Sequence, residues 1–161
     1  MHLMTQPNGW SCSVTAFAMA ISVPVQQLIE LIGHDGSELI ASDPDLPKHP
    51  RGFCQQELVR AIWECGYSAT PIELMPRAQY RVNGGAILVP LRGDPFQEFS
   101  QHITSGCGVI DCNTTRVFAH SVAFKWGEIF DPTGSVYPYS QAELKSRGLY
   151  THRLWRVEPR Q

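Results

Sequence analysis

The 161-residue sequence predicts an α+β fold, with helices in the first half of the chain and an antiparallel sheet in the second. Up to about residue 66, apolar residues recur at helical spacing. Beyond that point they fall in short runs that alternate or lie between turn signals, as strands do. The 13 glycines and 12 prolines favour a loop-rich chain over a helical bundle. Helices and strands that are segregated in this way are typical of α+β domains.

Three helices are predicted in the first half. Residues 13–22 (SVTAFAMAIS) are apolar nearly all round, as expected of a central buried helix. The second helix begins at Pro24, stops at Gly33 and carries apolar residues at helical spacing, namely Val25, Leu28, Ile29 and Ile32. The third covers residues 55–65 and stops at Gly66. Between the last two, residues 34–52 are rich in Pro, Asp and Ser and are predicted to form a long surface loop.

The second half contains the predicted strands, which are residues 68–74, 86–91, 108–112, 120–126 and 128–130. Asp131-Pro132-Thr133-Gly134 is a turn signal. A short helix is predicted over 141–147, and residues 150–157 alternate like a closing strand. We therefore expect a single domain over residues 1–161, with a helical part over about 1–66 and a β part over about 67–161.

Composition and charge exclude several classes of protein. The formal net charge is -2 and the basic residues are scattered, so no nucleic acid or membrane surface is expected as a partner. The N-terminus, MHLMTQPNGW, has no basic region followed by an apolar run, which predicts a cytoplasmic location. The five cysteines are an odd number and are expected to be reduced thiols. The sequence does not indicate the oligomeric state.

Cys12 lies where the first helix should begin. Backbone amides at a helix N-terminus favour a thiolate, and an imidazole partner makes that thiolate a useful nucleophile. Gln6 precedes it by six residues, and the tripeptide PNG permits a turn that returns Gln6 to the helix start. The Gln6 amide and the Cys12 backbone N–H could then donate to an oxyanion. Taken singly, each residue is better explained structurally, Cys12 as a small buried side chain and Gln6 as an exposed loop residue.

A histidine and an aspartate fit the same chemistry. His120 begins the strand-like run HSVAFKW, and Asp131 ends the run GEIF eleven residues later. A tight turn around residues 125–128 would bring Asp131 back beside His120, where it could orient the imidazole. The other histidines considered as the base, none followed by a carboxylate at a hairpin return, are His34, His49, His102 (near a predicted helix end) and His152.

The pattern resembles the papain-like cysteine peptidase superfamily. It consists of Gln6-x5-Cys12 before a small-residue apolar helix, a distal His120 strand and Asp131-Pro132-x-Gly134. It is most similar to the compact bacteriocin-leader-processing peptidases. The resemblance implies Gln6 in the oxyanion hole, Cys12 as nucleophile, His120 as general base and Asp131 as third member. It also implies a helical lobe packed on a lobe of antiparallel strands, with the active-site cleft between them.

The function expected is that of a thiol-dependent hydrolase that cleaves a peptide or isopeptide bond through an acyl-enzyme on Cys12, with no cofactor. Trp10, two residues before Cys12, is a candidate substrate-binding residue, and the expected partner is a peptide or protein substrate. A cysteine amidase or acyltransferase could use the same residues, and a non-catalytic peptide- or protein-binding module could use the same scaffold. Structural zinc is disfavoured because the cysteines, among them Cys107 and Cys112, lack tight paired spacings.

Overall fold

The structure is a computed structural model that describes residues 1–41, 47–82, 85–114 and 119–161. The described residues form five helices and a six-stranded antiparallel sheet, which confirms the predicted α+β class. The helices are α1 (Cys12–Ile21), α2 (Val25–Ile32), α3 (Gln55–Glu64), α4 (Pro95–Ser105) and α5 (Gln141–Ser146). The first three agree with the predicted helices to within a residue or two at each end.

The strands fall into one large sheet and two small ladders. The strands are β1 (Leu39–Ile40), β2 (His49–Pro50), β3 (Tyr67–Glu73), β4 (Arg77–Val82), β5 (Gly85–Pro90), β6 (Cys107–Thr114), β7 (His120–Lys125), β8 (Glu128–Asp131), β9 (Ser135–Pro138) and β10 (Leu149–Pro159). The large sheet has the order β3-β10-β6-β7-β8-β9, and each neighbouring pair is antiparallel. The pairs β1–β2 and β4–β5 form separate two-stranded ladders.

Helices cover both faces of the large sheet. α1, α2 and α3 pack with Val109, Ala123 and Trp155 on one face. α4 and α5 pack with Ile110 and Val122 on the other. Successive side chains of a strand point to opposite faces, so a strand covered on both sides is buried at consecutive positions. Residues 109–112 of β6 and 121–124 of β7 are all buried, as this arrangement requires.

The predicted elements include no bounds for α4, and they lack β4 and β9. Start signals for α4 are present, since the Asp94 side chain accepts from the backbone N–H of Phe96 (3.0 Å) and Pro95 is the first helical residue. The segment predicted as a loop over 34–52 contains the short β1–β2 ladder, and its residues 42–46 lie outside the described part of the chain.

Among the described helices, none is both long enough and apolar enough to cross a membrane alone. α1 and α2 reach the required length and composition only as a pair, and they are bent by 115° where they meet.

Candidate active site

Cys12 is the first residue of α1, as predicted, and its thiol is half-buried. The preceding residue, Ser11, is fully buried and directs its hydroxyl to the backbone carbonyl of Asn8 (3.3 Å) instead of capping the helix. The backbone N–H groups of the first helical turn have no intrahelical partner and carry the positive end of the helix dipole. The thiol therefore lies at a position that favours negative charge on sulfur.

The hairpin of β7 and β8 brings His120 and Asp131 together. Lys125 pairs with Glu128, so only two residues form the turn, and the strands run back antiparallel from there. The His120 Nε2 atom lies 3.0 Å from the Asp131 Oδ1 atom. Both side chains are shielded from solvent, with 16% of the His120 side chain and 6% of that of Asp131 exposed. The return predicted from the spacing of the two residues is thus present in the structure.

The His120 ring also interacts with the Cys12 thiol. Burial alone would lower the pKa of His120, but hydrogen bonds to Asp131 and to Cys12 outweigh burial and raise that pKa from 6.5 to about 9. Because Asp131 occupies Nε2, the nitrogen left for Cys12 is Nδ1. The imidazole therefore stands between a thiol and a carboxylate and can hold a proton for the thiol at neutral pH.

The Asp131 carboxylate is held on both oxygens. Oδ1 accepts from the backbone N–H of Thr133 (2.9 Å) and from its hydroxyl (2.8 Å), besides His120. Oδ2 accepts from the Tyr137 hydroxyl (3.1 Å). Burial would raise the pKa of Asp131, but the bonds from His120 and Thr133 reverse this and lower it from 3.8 to about 2. The carboxylate stays ionised at all pH values near neutral.

Thr133 and Tyr137 also belong to the site, although neither was predicted from the sequence. The bond from Thr133 could have been predicted from the sequence, because an aspartate that begins a turn commonly accepts from the backbone N–H two residues later. Tyr137 has no comparable signal, since it lies on the four-residue edge strand β9, which ends at Pro138.

Gln6 lies beside this group. Its backbone N–H donates to the carbonyl oxygen of Pro132 (2.8 Å), which directly follows Asp131. Its side-chain nitrogen, Nε2, donates one hydrogen to the carbonyl oxygen of Asn8 (2.8 Å). A primary amide carries two hydrogens, so a second donor remains on the same nitrogen. The assignment of Gln6 to an oxyanion hole stays a prediction.

Trp10 links the segment before Cys12 to the segment after α2. Its indole N–H donates to the backbone carbonyl of Asp35 (3.1 Å). A Cβ added at Gly52 would lie 3.4 Å from the Trp10 carbonyl oxygen, so the two backbones run close together. The structure thus gives Trp10 an anchoring contact, and its predicted role in substrate binding stays a prediction.

The other histidines occupy different surroundings. His34 pairs with Glu57 (3.2 Å), the His49 Nδ1 atom lies 3.0 Å from the Pro50 carbonyl oxygen, and His102 is in the last turn of α4. His152 is buried on β10, and burial lowers its pKa. His120 differs from these histidines because it interacts with both Cys12 and Asp131.

A buried polar group lies next to the site. Asp111 precedes Cys112, which pairs across the strands with His120. Its carboxylate accepts from the side chains of Gln55 (3.0 Å), Ser121 (2.8 Å) and Trp155 (2.8 Å). Gln55 begins α3, so this group ties the helical side of the molecule to the sheet. No cluster of three or more metal-binding side chains occurs in the described ranges.

A groove of about 720 Å³ opens at the same end of the sheet but does not include the four predicted catalytic residues. Apolar residues that line it include Val89, Phe96, Leu144 and Leu149.

Two solved structures resemble this chain over nearly its whole length. One is a double glycine motif protease from an AMS/PCAT transporter, in complex with a leader peptide; it has 17% identity and a TM-score of 0.58, and the match covers 98% of this chain and 91% of that one. The other is the peptidase domain of Streptococcus ComA, a bifunctional ABC transporter involved in quorum sensing; it has 11% identity and a TM-score of 0.59, and the match covers 98% of each chain. No protein-family model matches the sequence, and no curated protein matches it.

At identities this low, the structural similarity establishes the fold alone. The chain has the papain-like fold of these peptidase domains, which confirms, for the fold, the resemblance to bacteriocin-leader-processing peptidases.

Proposed function

We propose that this chain is a cysteine peptidase that cleaves a peptide bond through an acyl-enzyme on Cys12. The observation that carries the proposal is the position of the His120 imidazole, which is hydrogen-bonded to the Asp131 carboxylate and lies near enough to the Cys12 thiol for that thiol to raise its pKa. A nucleophile, a base and a group that orients the base are the three parts that covalent acyl transfer requires.

Acylation begins from the thiolate of Cys12 and the imidazolium of His120. The sulfur attacks the carbonyl carbon of the substrate, the carbon–nitrogen bond breaks, and His120 gives its proton to the leaving amine. Water then attacks the thioester while His120 takes a proton from it. The carboxylic acid leaves and the thiolate–imidazolium pair forms again. Asp131 remains ionised throughout and keeps the ring oriented.

The oxyanion that forms at the carbonyl is stabilised by the backbone N–H of Cys12 and by the free hydrogen of the Gln6 amide. Support for Gln6 comes from its backbone bond to Pro132, which fixes it near the Asp131 turn. No metal or other cofactor takes part in these steps.

The substrate class is a polypeptide with a double glycine before the cleaved bond, by analogy with the protease whose structure holds a leader peptide. Small residues would place the carbonyl close to the start of α1 without a side chain in the way. We also propose a cytoplasmic location and a single domain over residues 1–161.

The test uses two synthetic peptides that differ only in a Gly-Gly or an Ala-Ala pair before the cut, with mass spectrometry of the products. We expect the wild-type protein to cleave the Gly-Gly peptide, Cys12→Ala to be inactive and His120→Ala to lose roughly 10³-fold in kcat/KM. Cleavage that survives in Cys12→Ala would contradict the proposal. Binding of the peptide by wild-type protein without cleavage would instead favour the non-catalytic binding module.

A further inference from the structure

Among the described residues, Tyr137 is the one that donates a hydrogen bond to the second oxygen of Asp131. Its hydroxyl donates to Oδ2 at 3.1 Å, and the tyrosine is only 5% exposed. The three donors on Oδ1 come from His120 and Thr133, on the strand before Asp131 and in the turn after it. Thr133 is exposed, whereas Tyr137 comes from the buried side of β9. The carboxylate is therefore fixed at both oxygens.

The Tyr137 ring is itself held firmly. Tyr137 pairs with Ile129 in the register of β8 and β9. The guanidinium of Arg147 lies over the ring, 3.7 Å from its centre, and donates to Ser135 (3.1 Å) and Glu143 (3.3 Å). Burial and the nearby carboxylate raise the pKa of Tyr137, so the phenol stays neutral and keeps its proton. A neutral hydroxyl in this position can only donate to the carboxylate.

A carboxylate bound through one oxygen can still rotate about its Cβ–Cγ bond. A donor on the second oxygen restricts that rotation and gives the buried Oδ2 atom a hydrogen-bond partner. The orientation of Asp131 decides whether Oδ1 meets His120 in line, and the His120 ring in turn faces Cys12.

We propose that Tyr137 is a positioning residue of the site, which acts through Asp131 by holding its Oδ2 so that Oδ1 aligns the His120 ring with Cys12. The inference rests on the proposed function of Cys12 and His120, and it adds a residue from the edge strand to the group on which reactivity depends.

Tyr139 provides a matched control. It lies two residues further along the chain, and its ring is also largely shielded. It stacks on Phe96 (4.8 Å between ring centres) and donates to the carbonyl oxygen of Phe96 at 3.2 Å. Within the described part of the chain, Tyr139 makes no hydrogen bond to Asp131. Tyr139→Phe therefore removes an inward-facing phenol hydroxyl of similar kind from the same region, without touching the carboxylate.

The experiment measures the rate constant for alkylation of Cys12 by iodoacetamide at about pH 6, with mass-spectrometric mapping of each cysteine. We expect Tyr137→Phe to react about tenfold more slowly than wild type, the order of one hydrogen bond to a charged group, and Tyr139→Phe to stay within about twofold. In an Asp131→Ala background, adding Tyr137→Phe should change the rate by less than about twofold, because the residue through which Tyr137 acts is gone.

A spectroscopic signature separates positioning from stability. The proton that His120 Nε2 donates to Asp131 should give a far-downfield NMR signal in wild type and Tyr139→Phe, and this signal should shift or broaden in Tyr137→Phe. If Tyr137→Phe does not fold, Arg147→Ala is the alternative variant. It removes the guanidinium that covers the Tyr137 ring and should lower the alkylation rate of Cys12 by a smaller factor.

Equal rates and an unchanged signal in Tyr137→Phe and wild type would overturn the inference, as would an equal loss with Asp131 removed. Failure of the proposed function looks different: wild-type Cys12 would then react no faster than the exposed Cys54.

Discussion

At the scale of single residues, the bonds of His120 and Asp131 make stability depend on pH in a defined way. The pKa of His120 is raised from 6.5 to about 9, so its contribution to stability is complete below pH 6.5 and is lost as the pH rises through 9. The pKa of Asp131 is lowered from 3.8 to about 2, so its contribution is present above pH 3.8 and is lost as the pH falls through 2. The His120–Asp131 ion pair contributes to both shifts, and its full contribution lies between pH 3.8 and 6.5.

Replacing Cys12 should lower the pKa of His120. Cys12→Ala removes a hydrogen bond to the ring and the negative charge of the thiolate, both of which raise that pKa. We expect the ring to titrate near pH 9 in wild type and at least about one unit lower in Cys12→Ala, which corresponds to roughly 1.4 kcal/mol. An NMR titration of the His120 ring protons measures both values. A wild-type ring that titrates at its ordinary pH, near 6.5, would contradict the account.

The sequence was sufficient to predict that Asp131 lies beside His120, because a two-residue turn halfway between them leaves little freedom in the register. The other hydrogen-bond partners of Asp131 were harder to predict from the sequence. Thr133 follows from local turn chemistry, but Tyr137 reaches the carboxylate only through the pairing of β8 with β9. That pairing depends on tertiary packing, and the sequence of a four-residue edge strand is not enough to predict it.

At the scale of elements, the turn between β7 and β8 shows tertiary contacts overriding local preference. Trp126 and Gly127 both have positive φ (50° and 88°), the signature of a type I′ turn, in which the first position favours asparagine. The backbone N–H of Trp126 donates to Gly106 and that of Gly127 to Ile103, both at 2.9 Å. These bonds from the end of α4 hold a bulky residue in a conformation that costs about 1 kcal/mol.

Asparagine at position 126 should therefore stabilise the protein. The Trp126 ring is 69% exposed, so little burial is lost on its removal. We expect Trp126→Asn to raise the free energy of unfolding by about 1 kcal/mol, measured by urea denaturation. Trp126→Ala is the control, since it removes the same ring without favouring positive φ. A Trp126→Asn variant no more stable than Trp126→Ala would show that the turn is not strained.

The lack of predicted bounds for α4 has a physical explanation. α4 begins with ordinary start signals and buries Phe99 and Ile103, four residues apart, on one of its faces. A helix such as α4 is required only if the sheet is buried on both of its faces. The buried runs in β6 and β7 are the observation that predicts such burial.

At the scale of the whole molecule, the candidate site lies where the helical side meets the sheet. Cys12 comes from α1, while His120 and Asp131 come from the sheet. The bond from Gln55 on α3 to the buried Asp111 on β6 joins the same two parts (3.0 Å). The separation of nucleophile and base therefore depends on how the two parts pack, which local sequence patterns do not determine.

Because these parts share one sheet and one buried polar group, we expect residues 1–161 to unfold in a single cooperative transition. Far-ultraviolet circular dichroism reports the helices, and tryptophan fluorescence reports Trp155 on β10 together with Trp10, Trp63 and Trp126 outside the sheet. The two signals should change at the same urea concentration. Two separated transitions would contradict the assignment of a single domain.

The measurement that tests the central claim most directly is alkylation by iodoacetamide at about pH 6, mapped cysteine by cysteine, in wild type and His120→Ala. Cys54 is exposed and serves as the internal standard, while Cys112 is buried. We expect wild-type Cys12 to be alkylated at least about tenfold faster than Cys54, and we expect this difference in rate to disappear in His120→Ala. Slow labelling of Cys12, equal to that of Cys54 and the same in both proteins, would contradict the claim that Cys12 and His120 form a catalytic pair.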